Sequence, residues 1–516
     1  MLSSVHWLWL VLWLHLTSLE DVEAQFPIPC TRQEALDSRT CCPLWNGSPC
    51  GETAGRGYCA QHFLEGRDLP FDYRVDWPNS FYDKVCACYG NFDGFDCGVC
   101  SPGWQGPDCL EPHRVDRKEI TDMTENEREL FISNLDHAKH TISNRYKILT
   151  SNDTTKAGNF KFHEATVYDL YVWLHYYAAK KYADTDDDAA HRGPAFPFWH
   201  RIFLLFIERE IRLLTGNHNF FIPYWDWTRT DHCNICTNDY FGAVDPDGHI
   251  DQGSRFSKWK TACVLDEGLL MICSHPDDPS PAPISRKPGK DRSADTLPTS
   301  GDVRRTVCED NYDTPPFNKM SKHSFRSRLE GFDIPRDSRN LQSAMHNLVH
   351  DYFNGTMSHL PTAANDPLFM VHHSFVDKLL EVWLERHRYA SYPESDEIHK
   401  AQKKESYMAP FFPLRTNGYY WNRNILSLGY MYIEHSIPHP GAVHIGEVYH
   451  QSPYCLWREA EGAAEESSAW EVQWLWPVVG VACVVLLCVI VGVAIKCKGR
   501  RRPTYDAPAE QELQNL

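Results

Sequence analysis

The 516-residue sequence predicts a mainly α protein with a small disulfide-rich module before its helical core and a single membrane-spanning helix after it. Three observations carry this. Residues 125–143, 167–181, 201–214 and 367–386 repeat apolar side chains at three- and four-residue spacing, while strand-like alternation is scarce. Ten cysteines crowd between Cys30 and Cys109, where apolar periodicity is poor. Pro477 to Ile495 gives 19 residues without a charge, and Lys496, Lys498, Arg500, Arg501 and Arg502 follow at once. With 42% hydrophobic and 13% aromatic residues, the chain can bury a substantial core.

Residues 1–24 read as a signal peptide, an apolar run too short to span a bilayer followed by Val22-Glu23-Ala24, although no Lys or Arg precedes the run. Residues 25–112 form the cysteine-rich module, whose second half, Cys86 to Cys109, has an EGF-like or laminin-like glycine and cysteine rhythm. Cys88 with Cys97 and Cys100 with Cys109 are attractive neighbours, but the pairing as a whole is not readable. Residues 113–455 hold the helical core. Within it, His275 to Asp302 is Pro- and Ser-rich and is expected to be an exposed, mobile loop, and beyond Arg388 the chain becomes irregular and aromatic.

An acidic stalk (456–474), the membrane helix (475–495) and a cytoplasmic tail (496–516) complete a type I arrangement with nearly everything lumenal. Three of the 19 cysteines lie in or beside the membrane run, which leaves 16, an even number suited to disulfides. Cys308 and Cys455 have no obvious partners; they pair with each other or one stays free. Glycosylation sequons stand at Asn152 and Asn354, with a poorer one at Asn46 because proline follows it. The net charge of −18 argues against nucleic acid as a partner.

The chemistry lies in two groups of histidines. His346 and His350 are four residues apart, so on a helix their imidazoles share one face roughly 6 Å apart and can bind one metal ion. His372 and His373 arrive in the next helix. Upstream, His175 sits on the expected buried face of 167–181, while His191 and His200 bracket HRGPAFPFWH. These facing helices predict a four-helix-bundle catalytic core with a binuclear metal site. Neutral imidazoles suit zinc, copper, iron or nickel, so ligand type leaves the metal open. The absence of Asp or Glu at ligand-like positions disfavours carboxylate-rich di-iron bundles, and two sites of three histidines suit a binuclear copper centre that binds dioxygen.

QFP, LHYY, the block ending PFWHR, PYWDW, FRSRLEGF, MHNLVH, NGTMS, ANDPLF and the single span together resemble the vertebrate-type tyrosinase and tyrosinase-related protein family of the type-3 copper superfamily. The resemblance implies that His175, His191 and His200 bind one metal and that His346, His350 and His373 bind the other. It selects His373 because the family's ligand stands four residues before an Asp, here Asp377, and it leaves His372 lining the substrate pocket. Asp377 is expected to accept an imidazole N–H and fix its tautomer. Glu330 and Asn347 match positions that hold a water near the metals, and Phe332, Ser343 and Leu360 match positions around the substrate.

The implied activity is that of a two-copper monooxygenase and oxidase, which converts monophenols such as tyrosine, and catechols such as dihydroxyphenylalanine, to o-quinones with dioxygen in melanin synthesis. The competing branch holds zinc and acts as a dopachrome tautomerase, or serves as a non-catalytic melanogenic partner associated with related proteins. Asp226-Trp227, His372 and Glu405-Ser406-Tyr407-Met408 resemble the oxidase branch, whereas QFP and Asp313 to Phe317 look more like the other. Family likeness suggests the melanosome membrane, yet the tail lacks a clear acidic dileucine or tyrosine-based sorting signal.

Overall fold

The computed structural model describes residues 22–61, 81–151, 160–181, 186–265, 271–273, 282–291, 293–334 and 343–433. Residues 1–21 of the expected signal peptide, the Asn152 sequon, Cys455, the stalk, the apolar run and the tail lie outside them. Among the described residues, no helix is long and apolar enough to cross a membrane.

Nine α-helices follow one another: α1 (Gln33–Asp37), α2 (Glu125–His140), α3 (Val167–Ala178), α4 (Phe196–Thr215), α5 (Ser300–Val307), α6 (Phe325–Glu330), α7 (Met345–Phe353), α8 (Leu368–Arg386) and α9 (Asn417–Trp421) among the described residues. Their ends follow local chemistry. Thr124 and Glu127 close a reciprocal capping box at the start of α2. Thr166 accepts from the Asp169 N–H at the start of α3. Pro197 opens α4 five residues earlier than the 201–214 pattern suggests, and Gly216, at φ 68°, ends it.

The sequence suggests one apolar face per helix, but α3 is buried at every position except Asp169, and α8 is buried continuously from Leu368 to Trp383. Both are central helices enclosed on all sides. The polar residues of α8 are accommodated by internal pairing.

The cysteine-rich part is held by Cys30–Cys41, Cys42–Cys59, Cys50–Cys86, Cys88–Cys97 and Cys100–Cys109, which include both expected neighbour pairs. The sulfurs of Cys42, Cys50 and Cys86 lie close enough to suggest a metal site, but all three are in disulfides. A further disulfide joins Cys233 to Cys236. Cys308 is also disulfide-bonded, so it is not a free thiol.

Strands tie this part to the helical core. Val22–Pro27 pairs antiparallel with Tyr146–Ser151. Val115–Arg117 runs parallel to Tyr430–Tyr432, and beside that ladder a Cβ on Gly429 would stand 2.4 Å from the Gly103 Cα, so only glycine permits the approach.

The expected exposed loop needs correction. From residue 282 its described part is packed in places, with Ile284 and Arg286 buried while Pro283, Lys287, Lys290 and Asp291 are exposed as expected. Arg286 makes a bidentate, fully buried pair with Asp366. Asp366 in turn accepts the Leu368 N–H at the start of α8. Proline and serine content marks this segment as irregular, and it cannot reveal an arginine fixed to a carboxylate 80 residues away. Asp302 is not in a loop either, since it lies within α5.

Candidate metal centre

Four helices and one loop deliver the histidines. α3 carries His175, α4 carries His200, α7 carries His346 and His350, and α8 carries His372 and His373, while His191 lies in the loop before α4. All seven are buried. The nitrogens of His175, His191 and His200 form one group and those of His346, His350, His372 and His373 a second, each within 4.8 Å of one another. The groups meet where α4 packs on α8, with the His200 and His373 rings stacked at 4.3 Å and 14°. Phe369, one turn before His373, stacks on it at 4.0 Å and sets an edge against His175 at 4.8 Å.

Five of the outer ring nitrogens have partners. Nδ1 of His350 faces the Met357 carbonyl at 2.8 Å, and Nδ1 of His200 faces the Phe196 carbonyl at 2.9 Å. Nδ1 of His191 faces Asp188 Oδ1 at 3.1 Å, Nδ1 of His346 faces Asn347 Oδ1 at 2.9 Å, and Nδ1 of His175 faces the Pro361 carbonyl at 3.4 Å. Each acceptor places the proton on Nδ1 and leaves the Nε2 lone pair for the interior. Burial pushes His175, His200, His346 and His373 well below the ordinary histidine range and His350 down to about 4, so these rings are neutral, the form in which an imidazole can bind a metal.

The Nε2 atoms fit metal ions. Those of His346, His350 and His373 stand 3.0, 3.2 and 3.4 Å apart. Metal–nitrogen bonds of 2.0–2.1 Å at tetrahedral angles give a spacing of about 3.3 Å. In the other group, the buried Nε2 atoms of His175 and His200 have no hydrogen-bond partner among the described residues. Six lone pairs aimed at two points therefore suit a binuclear centre.

His372 differs. Trp227 Nε1–H donates to its Nδ1 at 3.3 Å, so in the neutral ring the proton sits on Nε2. His372 lies within reach of the second group, but its tautomer opposes ligation through Nε2. Burial also holds it well below the ordinary histidine range.

The remaining expected residues divide. Glu330 is buried beside His191; Oε1 accepts the Arg192 N–H at 2.6 Å and Oε2 accepts from Arg326 at 3.2 Å. Burial raises its pKa, against the pull of Arg326 and His191. Asn347 orients His346. Ser343 is buried, and its hydroxyl donates to Asp351. Leu360 is half-buried and precedes Pro361, whose carbonyl meets His175. Phe332 is half-buried just after α6.

Asp377 is a correction, because it accepts from Arg117, Arg201, Tyr430 and Tyr432 and not from an imidazole. Its carboxylate is saturated by two guanidinium groups and two phenols, and His373 Nδ1 has no hydrogen-bond partner among the described residues. Of the sequons, Asn46 is exposed at the tip of a tight Asn-Gly hairpin. Asn354 is half-buried, and its sequon partner Thr356 accepts from the Ser285 N–H.

Two residues of the site escape the sequence reading. Asp188, three before His191, is detectable from that spacing. Gln402 is not. Its Nε2 donates to the carbonyls of Asp188 and His191, and its Oε1 accepts the Ala195 N–H, all within 3.0 Å, so it pins the His191 loop.

Residues 165–386 match the family model described as the common central domain of tyrosinase. Tyrosinase from Pelophylax lessonae is 40% identical over 436 residues, 79% of this chain and 81% of the relative. Tyrosinase from Felis catus is 39% identical over 449 residues, 82% and 83%. A 5,6-dihydroxyindole-2-carboxylic acid oxidase from Gallus gallus is 33% identical over 472 residues, 84% and 87%. Among solved structures, a polyphenol oxidase from Thermothelomyces thermophila is similar at TM-score 0.42 and 16% identity, covering 62% of this chain and 89% of that one, a likeness too distant to carry weight. With identity at this level along most of its length, the chain belongs to the tyrosinase family.

Proposed function

We propose that this chain is a copper-dependent tyrosinase, which hydroxylates a monophenol such as tyrosine at the ortho position and oxidises the resulting catechol to an o-quinone, feeding melanin. The observation that carries this is the pair of three-imidazole groups whose Nε2 atoms converge on two adjacent points. His175, His191 and His200 hold one copper ion and His346, His350 and His373 the other. Bound there, the two coppers supply dioxygen binding and the redox equivalents.

The chain's own residues do the rest. Asp188 and the carbonyls of Phe196, Met357 and Pro361 keep the imidazoles turned inward. Glu330 and Asn347 keep a water beside the metals, and burial brings Glu330 toward the range in which it can take the phenol proton. Phe332, Ser343, Leu360 and His372 line the substrate side. The deciding experiment purifies the protein after copper is supplied, counts copper and zinc, and follows oxygen uptake with tyrosine. Two coppers with uptake support the reading. Two zincs with isomerisation of dopachrome overturn it.

We further propose a type I membrane protein of the melanosome with a lumenal catalytic part, glycosylated at Asn46, Asn152 and Asn354. The apolar run at 475–495, the basic residues after it and the disulfides support this topology. Glycosidase and protease protection of sealed vesicles tests it.

A further inference from the structure

Along one line of α8, Asp377, Glu381 and Glu385 recur at four-residue spacing, three carboxylates stacked on the same stripe. Arg201 neutralises the first two, with Nε on Asp377 and Nη2 on Glu381 at 3.1 Å. Glu385 has no such cation. Its Oε2 is buried and has no hydrogen-bond partner among the described residues.

Glu385 lies on the wall of a cavity of about 780 Å³, within the size range of small-molecule sites. Val382 and Leu384 of α8, Trp421 at the end of α9, Ile425, Leu426 and Met431 give the cavity an apolar body. Glu385 stands about 18 Å along α8 from His373, and none of the seven clustered histidines lines the cavity. An unpaired carboxylate oxygen beside an aromatic and aliphatic wall can take a cation with an apolar body.

We propose that this cavity is a second binding site, for a small organic ammonium ligand with an apolar or aromatic body, whose cationic head pairs with Glu385. The ammonium takes toward Glu385 the place that Arg201 takes toward Glu381. The uncompensated carboxyl is correspondingly pushed up to about 7, first by burial and then by Glu381, against the pull of Arg388.

The other charged groups facing it are Lys378 and Glu381 from α8, His387 and Arg388 just after its end, and Arg423 from the opposite wall, together with the Tyr432 phenol. Burial keeps His387 below its ordinary range, so it stays neutral where Glu385 titrates. Ligand binding therefore follows the ionised fraction of Glu385 and weakens as pH falls below about 7.

The test uses the full-length protein and 2-phenylethylamine, which has no phenol hydroxyl, with 2-phenylethanol as its uncharged counterpart, titrated by ligand-detected NMR. Saturable binding of the amine is expected at pH 8, with the alcohol and the Glu385→Gln variant each weaker by about tenfold or more. In the wild type, affinity falls about tenfold per pH unit below 7, and in Glu385→Gln the profile is flat over the same range. No saturable binding, equal binding to Glu385→Gln, or equal binding of amine and alcohol would each overturn the proposal.

Discussion

Trp227 donates its indole N–H to His372 Nδ1 at 3.3 Å, so two residues that separately mark the oxidase branch in the sequence form one hydrogen-bonded unit. With the ligand set proposed above, the contact accounts for a fourth histidine in the second group that is not asked to bind metal. With the His372 proton placed on Nε2, its lone pair faces Trp227 and not the interior. His372→Ala is expected to retain both metal ions, whereas His373→Ala loses the ion of the second group. Metal counting by mass spectrometry of the two purified variants checks this, and loss of metal from His372→Ala contradicts the tautomer assignment.

Gln402 holds the His191 loop from a segment more than 200 residues downstream. Gln402→Leu leaves two carbonyls and one N–H buried without partners, each worth about 1–3 kcal/mol. Destabilisation by about 3 kcal/mol or more is expected in chemical denaturation, with copper lost first from the group containing His191. Gly193 sharpens the point, because a Cβ there would lie 2.4 Å from Gln402 Oε1, so Gly193→Ala should reproduce the defect.

These cases show what the sequence could and could not convey. Helical periodicity and local spacing expose His346 with His350 and the α8 pattern, since each signal lies within a few residues. Cysteine density exposes the disulfide-rich part. Gln402, Arg286 with Asp366, and the partners of Asp377 depend on contacts between distant segments, for which one sequence holds no periodic trace. Spacing places Asp377 one turn from His373 and so suggests an imidazole partner. Its partners Arg117 and Tyr430 come from two paired strands that lie more than 300 residues apart in sequence.

Glu119 supplies a pH prediction. It is buried, accepts from the Thr121 N–H and hydroxyl, pairs with Arg229, and has Asp122 and Asp226 nearby; burial, ahead of those two carboxylates, pushes it up to about 7. Because the folded state holds this proton more tightly than the unfolded chain, its contribution is full below about 4.5 and is lost as pH rises toward 7. Glu119→Gln cannot ionise, so the stability of the variant relative to wild type should rise by up to about 3 kcal/mol between pH 4.5 and 7. Urea denaturation at both pH values measures the difference, and a parallel pair of curves would contradict it.

The Arg201–Asp377 pair couples the two halves of the metal centre through sequence neighbours. Arg201 follows His200 on α4, and Asp377 lies one turn beyond His373 on α8, so the ion pair sets the register that stacks those two imidazoles. Both partners are buried, and Arg117, Glu208, Glu381, Tyr430 and Tyr432 complete the network. Burial alone would raise the Asp377 pKa, but Arg201, Arg117 and the two phenols hold it below the usual carboxylate range. Asp377→Asn leaves two guanidinium groups short of a counter-charge, at a cost of about 3–5 kcal/mol. A carboxylate with a depressed pKa stabilises the fold fully above its unfolded value and less as pH falls through the folded one. The wild-type advantage over Asp377→Asn should therefore be full at pH 7 and shrink below about 3.9. Denaturation at pH 7 and pH 3, with metal content measured at pH 7, separates this from a purely local effect. Loss of stability together with copper from both groups is the expected result, since the pair aligns a ligand of each.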